Sequence, residues 1–278
     1  MKTMLVLSMG ALLLAGTLSA QTPVPEWQAG VDKMKSLIQT NPAQASEEVG
    51  ELLKGKNKKN VDLVTSVAHV YLDAGKLTEA QEYLAMAKKA DNKDPKVSVL
   101  EGDIALAQKN IGQACQLYEQ AIYFDPNCKE AYLKYAQAYK SASPALAIEK
   151  LEQLKAVDPN CLEADRELAE VYYSSNRFGK AAEMYAKFID TPLATEDDML
   201  KYAFALFLNH DFEKSLQVAQ KGLQKNARHA AFNRLVMYNN TDLKRYEDAE
   251  KAAHAFFNAS DRADYSYLDY RYYGALLS

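Results

Sequence analysis

Cysteine is scarce: three stand in 278 residues, Cys115, Cys128 and Cys161. An odd number without tight spacing excludes a disulfide-stapled fold and gives no four-ligand zinc set. Proline (8) and glycine (11) are also few, too few for the many turns of a sandwich or barrel. Positive charge is not in excess, with 33 Lys and Arg against 37 Asp and Glu and a net charge of −4. That leaves no basic face of the kind nucleic acid requires. The four histidines, His69, His210, His229 and His254, form no His-x-x-x-His pair. Glycine-rich phosphate loops and the Gly-x-Ser-x-Gly elbow are missing as well. No catalytic residue, cofactor or metal is therefore expected, and the chain is not read as an enzyme.

Long apolar runs are missing except at the start. Lys2 precedes an uncharged stretch from Met4 to Leu18, and small residues at Ser19 and Ala20 lead into polar sequence at Gln21. This is the three-part plan of a secretory signal peptide over 1–20, cut near Ala20. The run is short for a membrane span, which needs about 20 residues; a retained anchor is the alternative. Export with so few cysteines points to a bacterial periplasm, with no membrane insertion after cleavage.

What the sequence has instead is helix-favouring composition and a period. Ala, Leu, Lys, Glu and Gln dominate, all helix formers. Small residues recur at Ala68, Gly102, Ala136, Ala169 and Ala203, and again at Ala80, Ala114, Ala147, Ala181, Ser215 and Ala249. A bulkier column runs Leu77, Ile111, Phe178, Phe212 and Tyr246, and a mixed one Leu84, Tyr118, Leu151, Tyr185, Ala219 and Ala253. The spacing is 34 with one deletion near Pro144. Each period holds two apolar helical stripes, as in Ala131, Tyr132, Tyr135, Ala136 and Tyr139. Asp125-Pro126 and Asp158-Pro159 are read as N-cap and first helical residue. The pattern predicts an all-α solenoid of antiparallel helix pairs, because one pair cannot bury both of its faces. The predicted units are 61–94, 95–128, 129–161, 162–195, 196–229 and 230–263. Residues 21–60 are read as a degenerate capping pair, with helices near Val31–Gln39 and Pro42–Leu53. Lys54 to Asn60 is read as a solvated turn. The Tyr-rich residues 264–278 are read as the start of a further repeat or as a capping helix.

The sequence resembles the tetratricopeptide repeat family. Gly102, Ala114, Tyr118, Ala121 and Pro126 fall on that pattern, as do Tyr132, Tyr135-Ala136, Tyr139, Ala147 and Pro159. The match is poor in the sixth unit, where Met237 and Asn240 replace a small residue and an aromatic. The resemblance implies a right-handed superhelix whose first helices line a groove that holds a peptide or partner helix. The positions in phase include His69, Asp103, Gln137, Arg166, Glu170, Tyr173, Leu200, Phe204, Phe207, Arg234 and Tyr238. Leu200, Phe204 and Phe207 make an apolar stripe beside Tyr173, Arg234 and Tyr238, a composition common at binding hot spots. Some relatives clamp a peptide carboxylate with Lys and Asn on successive first helices. Here those places hold Thr65/His69, Val99/Asp103, Leu133/Gln137 and Arg166/Glu170, so that clamp is missing. The expected function is a scaffold or assembly factor of the cell envelope that binds a protein partner. A carbohydrate- or peptidoglycan-binding module is the alternative.

Overall fold

A computed structural model describes residues 24–277. The signal peptide expected over 1–20 lies outside the described residues. Among those described there are fifteen α-helices, two short 3-10 turns and no strand. None of the helices is long and apolar enough to cross a membrane. The chain divides into two units at Leu52/Leu53.

The first unit is a helix hairpin of α1 (Gln28–Leu37) and α2 (Pro42–Leu52). Val31 and Met34 bury against Ala45 and Val49. Gly30 lets the helices approach: a Cβ there would stand 2.5 Å from Leu52 Cδ2. Lys33 and Glu48 pair across the hairpin.

The second unit opens with an exposed 3-10 turn at Gly55–Lys59, as the lysine run suggested. Six helix pairs follow: α3 (Val61–Asp73) with α4 (Leu77–Ala90), α5 (Pro95–Ala107) with α6 (Ile111–Phe124), and α7 (Lys129–Tyr139) with α8 (Pro144–Val157). Then come α9 (Leu162–Ser174) with α10 (Phe178–Phe188), α11 (Glu196–Leu208) with α12 (Phe212–Lys225), and α13 (Ala230–Asp242) with α14 (Tyr246–Ala259). A last helix, α15 (Tyr267–Leu276), packs on α13 and α14.

The small columns work as steric cut-outs. Every residue of both columns is buried, and rings fill the space opposite. A Cβ on Gly102 would meet the Tyr118 ring at 2.5 Å. The mixed column places Tyr118, Leu151 and Tyr185 in the core with no exposed surface. In the sixth pair Met237 and Asn240 are buried too. Next to them Asn239 Nδ2 donates to Ser215 Oγ at 2.8 Å, and Ser215 in turn donates to the Ala203 carbonyl at 2.8 Å.

The bulky column marks the first residue of the second helices: Leu77, Ile111, Phe178, Phe212 and Tyr246. Just before it the backbone turns left-handed at Gly75, Lys109, Asn176, His210 and Lys244, with φ from 58 to 75°. In each of these turns the next amide donates five residues back, as Lys76 to Tyr71 and Asp211 to Leu206, both at 2.9 Å. This six-to-one bond is the Schellman closure of a helix end. The deletion turn differs: Ser143 N–H donates to the Tyr139 carbonyl at 2.7 Å.

One expectation about the Asp-Pro pairs needs correction. Asp125 and Asp158 do not cap the helices that follow; α7 and α9 each begin four residues later, after Cys128 and Cys161. Asp125 Oδ1 accepts from Asn127 N at 2.9 Å, and Asp158 Oδ1 from Asn160 N at 3.1 Å. The carboxylates therefore close Asx turns between helices. The expected N-cap plus proline does occur at Asp94-Pro95, where Asp94 accepts from Lys96 N. All three cysteines are free. Burial pushes the Cys115 thiol up to about 11, as suits a small apolar residue in the core.

Candidate binding surface

The first helices α3, α5, α7, α9, α11 and α13 carry the predicted groove residues, and polar side chains tie each to the next. His69 on α3 reaches Asp103 on α5, with Nε2 2.9 Å from Oδ2. Asp103 also accepts from the Tyr118 hydroxyl of α6 at 2.7 Å and from Lys134 Nζ of α7 at 2.9 Å. Burial pushes the Asp103 carboxyl up, yet the His69, Lys134 and Tyr118 donors outweigh it and hold it below its ordinary value. Burial and the neighbouring carboxylate both push the Tyr118 phenol up.

The same group recurs 67 residues on, with Glu170, Tyr185, Asp197 and Lys201 matching Asp103, Tyr118, Glu130 and Lys134. Tyr185 donates to Glu170 at 2.8 Å, and Lys201 Nζ stands 3.0 Å from both Glu170 oxygens and 2.8 Å from Asp197. In the first group Lys134 likewise reaches Glu130 at 3.6 Å. Each group is a lysine held between two carboxylates, one of them anchored by a buried tyrosine.

His69, Asp103 and Glu130 offer three ligand-type atoms within 4.8 Å of one another. The Lys134 ammonium already stands on Asp103 Oδ2, so the cluster carries its own cation and does not suit a metal ion.

Other predicted residues serve the same ladder. Gln137 donates to Glu167 at 2.7 Å. Arg166 forks onto Asp198, with Nε 3.1 Å from Oδ1 and Nη2 3.0 Å from Oδ2. Asp198 is buried and closes a capping box with Thr195 at the start of α11. Arg234 forks likewise onto buried Asp269 of α15, at 2.9 and 3.2 Å. Asp269 closes a capping box with Ser266 and accepts from Tyr238 at 2.6 Å.

The apolar stripe is divided. Leu200 and Phe204 are half-buried on α11, and Tyr173 is half-buried on α9. Phe207 and Tyr238, expected on the groove wall, are buried. Tyr272 of α15 stacks on Tyr238 at 4.2 Å between ring centres and lies 6.4 Å from Phe207. Sequence reasoning missed Lys134, Lys201, Tyr118, Tyr185, Asp198 and Asp269. The 67-residue correspondence could have found the first four, because it stands out only when the repeats are compared two at a time.

The tetratricopeptide repeat family model matches residues 67–129 and 137–194, from within α3 to beyond α10. No curated protein matches in sequence. Solved structures share the fold. The C-terminal part of a tetratricopeptide-repeat protein from Cytophaga hutchinsonii is 17% identical, with 87% of this chain and 98% of that one covered and a TM-score of 0.64. PilF from Pseudomonas aeruginosa is 16% identical, with 80% and 99% covered and a TM-score of 0.60. PilW, described as a type IV pilus biogenesis factor, is 17% identical, with 73% and 94% covered and a TM-score of 0.57. With its paired helices stacked at a 34-residue period, the chain has the tetratricopeptide repeat fold, and residues 67–129 and 137–194 are the stretches that match that family.

Proposed function

We propose that this protein is a non-catalytic scaffold that binds a segment of a protein partner along its first helices, centred on α9 and α11. One observation carries the reading. Along that wall the charged side chains are already paired with one another, while Leu200 and Phe204 stay half-buried and apolar. Paired surface charges add little to binding, so the driving force comes from covering apolar surface. An extended segment or one face of a helix fits a surface built from parallel helices.

The place of action we propose is the cell envelope, as an assembly factor. The apolar N-terminal run followed by small residues supports export, and the likeness to a pilus biogenesis factor is consistent with that role. Leu200→Asp combined with Phe204→Asp tests the surface. In affinity capture from an envelope fraction, the partner recovered with the native chain should be lost, since an apolar hot spot is worth at least about 2 kcal/mol, or about thirtyfold. Undiminished capture by a variant with native helix content would overturn the placement.

A second reading, a carbohydrate-binding module, draws on a different place. An open cleft of about 320 Å³ is lined by Phe257, Tyr265, Tyr270 and Tyr273 together with His254 and Arg262. Phe257 and Tyr265 meet edge to face at 4.9 Å. Retention of the native chain on purified cell-wall glycan would favour this reading over the first.

A further inference from the structure

His69 has two hydrogen bonds that a neutral imidazole cannot make together. Its Nδ1 stands 2.9 Å from the Thr65 carbonyl oxygen on α3, and its Nε2 stands 2.9 Å from Asp103 Oδ2 on α5. A carbonyl oxygen only accepts. Asp103 Oδ2 also faces the Lys134 ammonium at 2.9 Å, so it too is an acceptor and the carboxyl is ionised. Both ring nitrogens must then donate, and only the imidazolium has two N–H groups.

We propose that His69 is a proton-controlled tie between the α3–α4 and α5–α6 helix pairs. Protonated, the ring joins α3 to the Asp103 carboxylate. Once a proton is lost, one of its nitrogens turns a lone pair toward an oxygen, and one of the two bonds is gone.

The charged groups around the ring are Asp103 from α5 and Lys134 and Glu130 from α7. From α6, Tyr118 contributes its hydroxyl to the other Asp103 oxygen. Burial and Lys134 push the His69 pKa down, but the Asp103 and Thr65 bonds outweigh them and leave it raised. A raised folded-state value sets the sign. The tie is fully present below the ordinary histidine value and is lost as pH rises through the folded-state value. The matching group at Glu170, Tyr185 and Lys201 carries Gln137 in place of the histidine, and Gln137 bonds Glu167 instead. That group has no histidine to titrate and serves as an internal control.

The test is an NMR titration of the histidine ring nitrogens in the full chain, with the His69 signals assigned by their loss in His69→Gln. At low pH both nitrogens should show imidazolium shifts, and the midpoint should lie above the ordinary value of about 6.5. Asp103→Asn should lower that midpoint. Amide protection in α3 should fall as pH passes it, while protection in α9 and α11 stays level. A midpoint at or below the ordinary value, or α3 protection that ignores the midpoint, would overturn the proposal. The wild-type titration decides the matter even if Asp103→Asn fails to fold.

Discussion

Asp269→Ala is expected to release α15 from the stack. Asp269 is fully buried and is the common partner of the Arg234 guanidinium, the Tyr238 hydroxyl and the Ser266 cap. Removing it leaves the Tyr238 phenol without its acceptor and the Arg234 guanidinium, 22% exposed, with only the Asp264 carbonyl at 2.7 Å. Breaking a buried pair on one side costs about 3–5 kcal/mol. In a stacked repeat the loss is felt by the nearest neighbours first. The effect should therefore be local: protection of the α15 amides falls by about a hundredfold or more, while α3 to α10 keep theirs. Tyr238 and Phe207 become exposed, because Tyr272 leaves with the helix. Hydrogen exchange read by mass spectrometry checks this, and unchanged protection over 267–276 would show that the fork does not hold α15.

The second large effect belongs to Tyr185. Its ring has no exposed surface and packs 5.7 Å from Phe188 and 6.0 Å from Tyr202. Its hydroxyl fixes Glu170, which in turn holds Lys201. Tyr185→Ala combines a cavity with a lost hydrogen bond, and truncation of a core aromatic costs about 3–5 kcal/mol. Tyr185→Phe keeps the ring and loses only the bond, about 1 kcal/mol. Denaturant midpoints of the two variants should differ accordingly. Equal midpoints would show that the hydroxyl, rather than the ring, secures α9 to α11.

The helices were legible because burial writes itself into spacing. Ala68, Ala136 and Ala203 are small where two backbones meet, and Leu77 and Phe212 stand at the starts of second helices. The turns were less legible. Lys109, His210 and Lys244 adopt positive φ, a conformation usually announced by glycine. Here the Schellman bonds hold the backbone and no sequence signal remains. The Asp-Pro pairs misled for a related reason: a carboxylate before proline suits both an N-cap and an Asx turn, and only the distance to the next helix separates them. The apolar stripe was half legible. Phe204 and Phe207 share one helical face pattern, but whether α15 covers Phe207 depends on where Tyr272 docks, which spacing does not reveal. The polar ladder stayed hidden because its members sit in different helices and only every second repeat carries the full set.

The central claim is that partners meet the chain at the first helices. A photoreactive residue placed at Phe204 on α11, compared with one at the exposed Gln217 on α12, tests it directly. The account predicts a protein cross-link in an envelope extract from position 204 and none from 217. A cross-link from 217 alone, with the variants folded and the partner present, would contradict it.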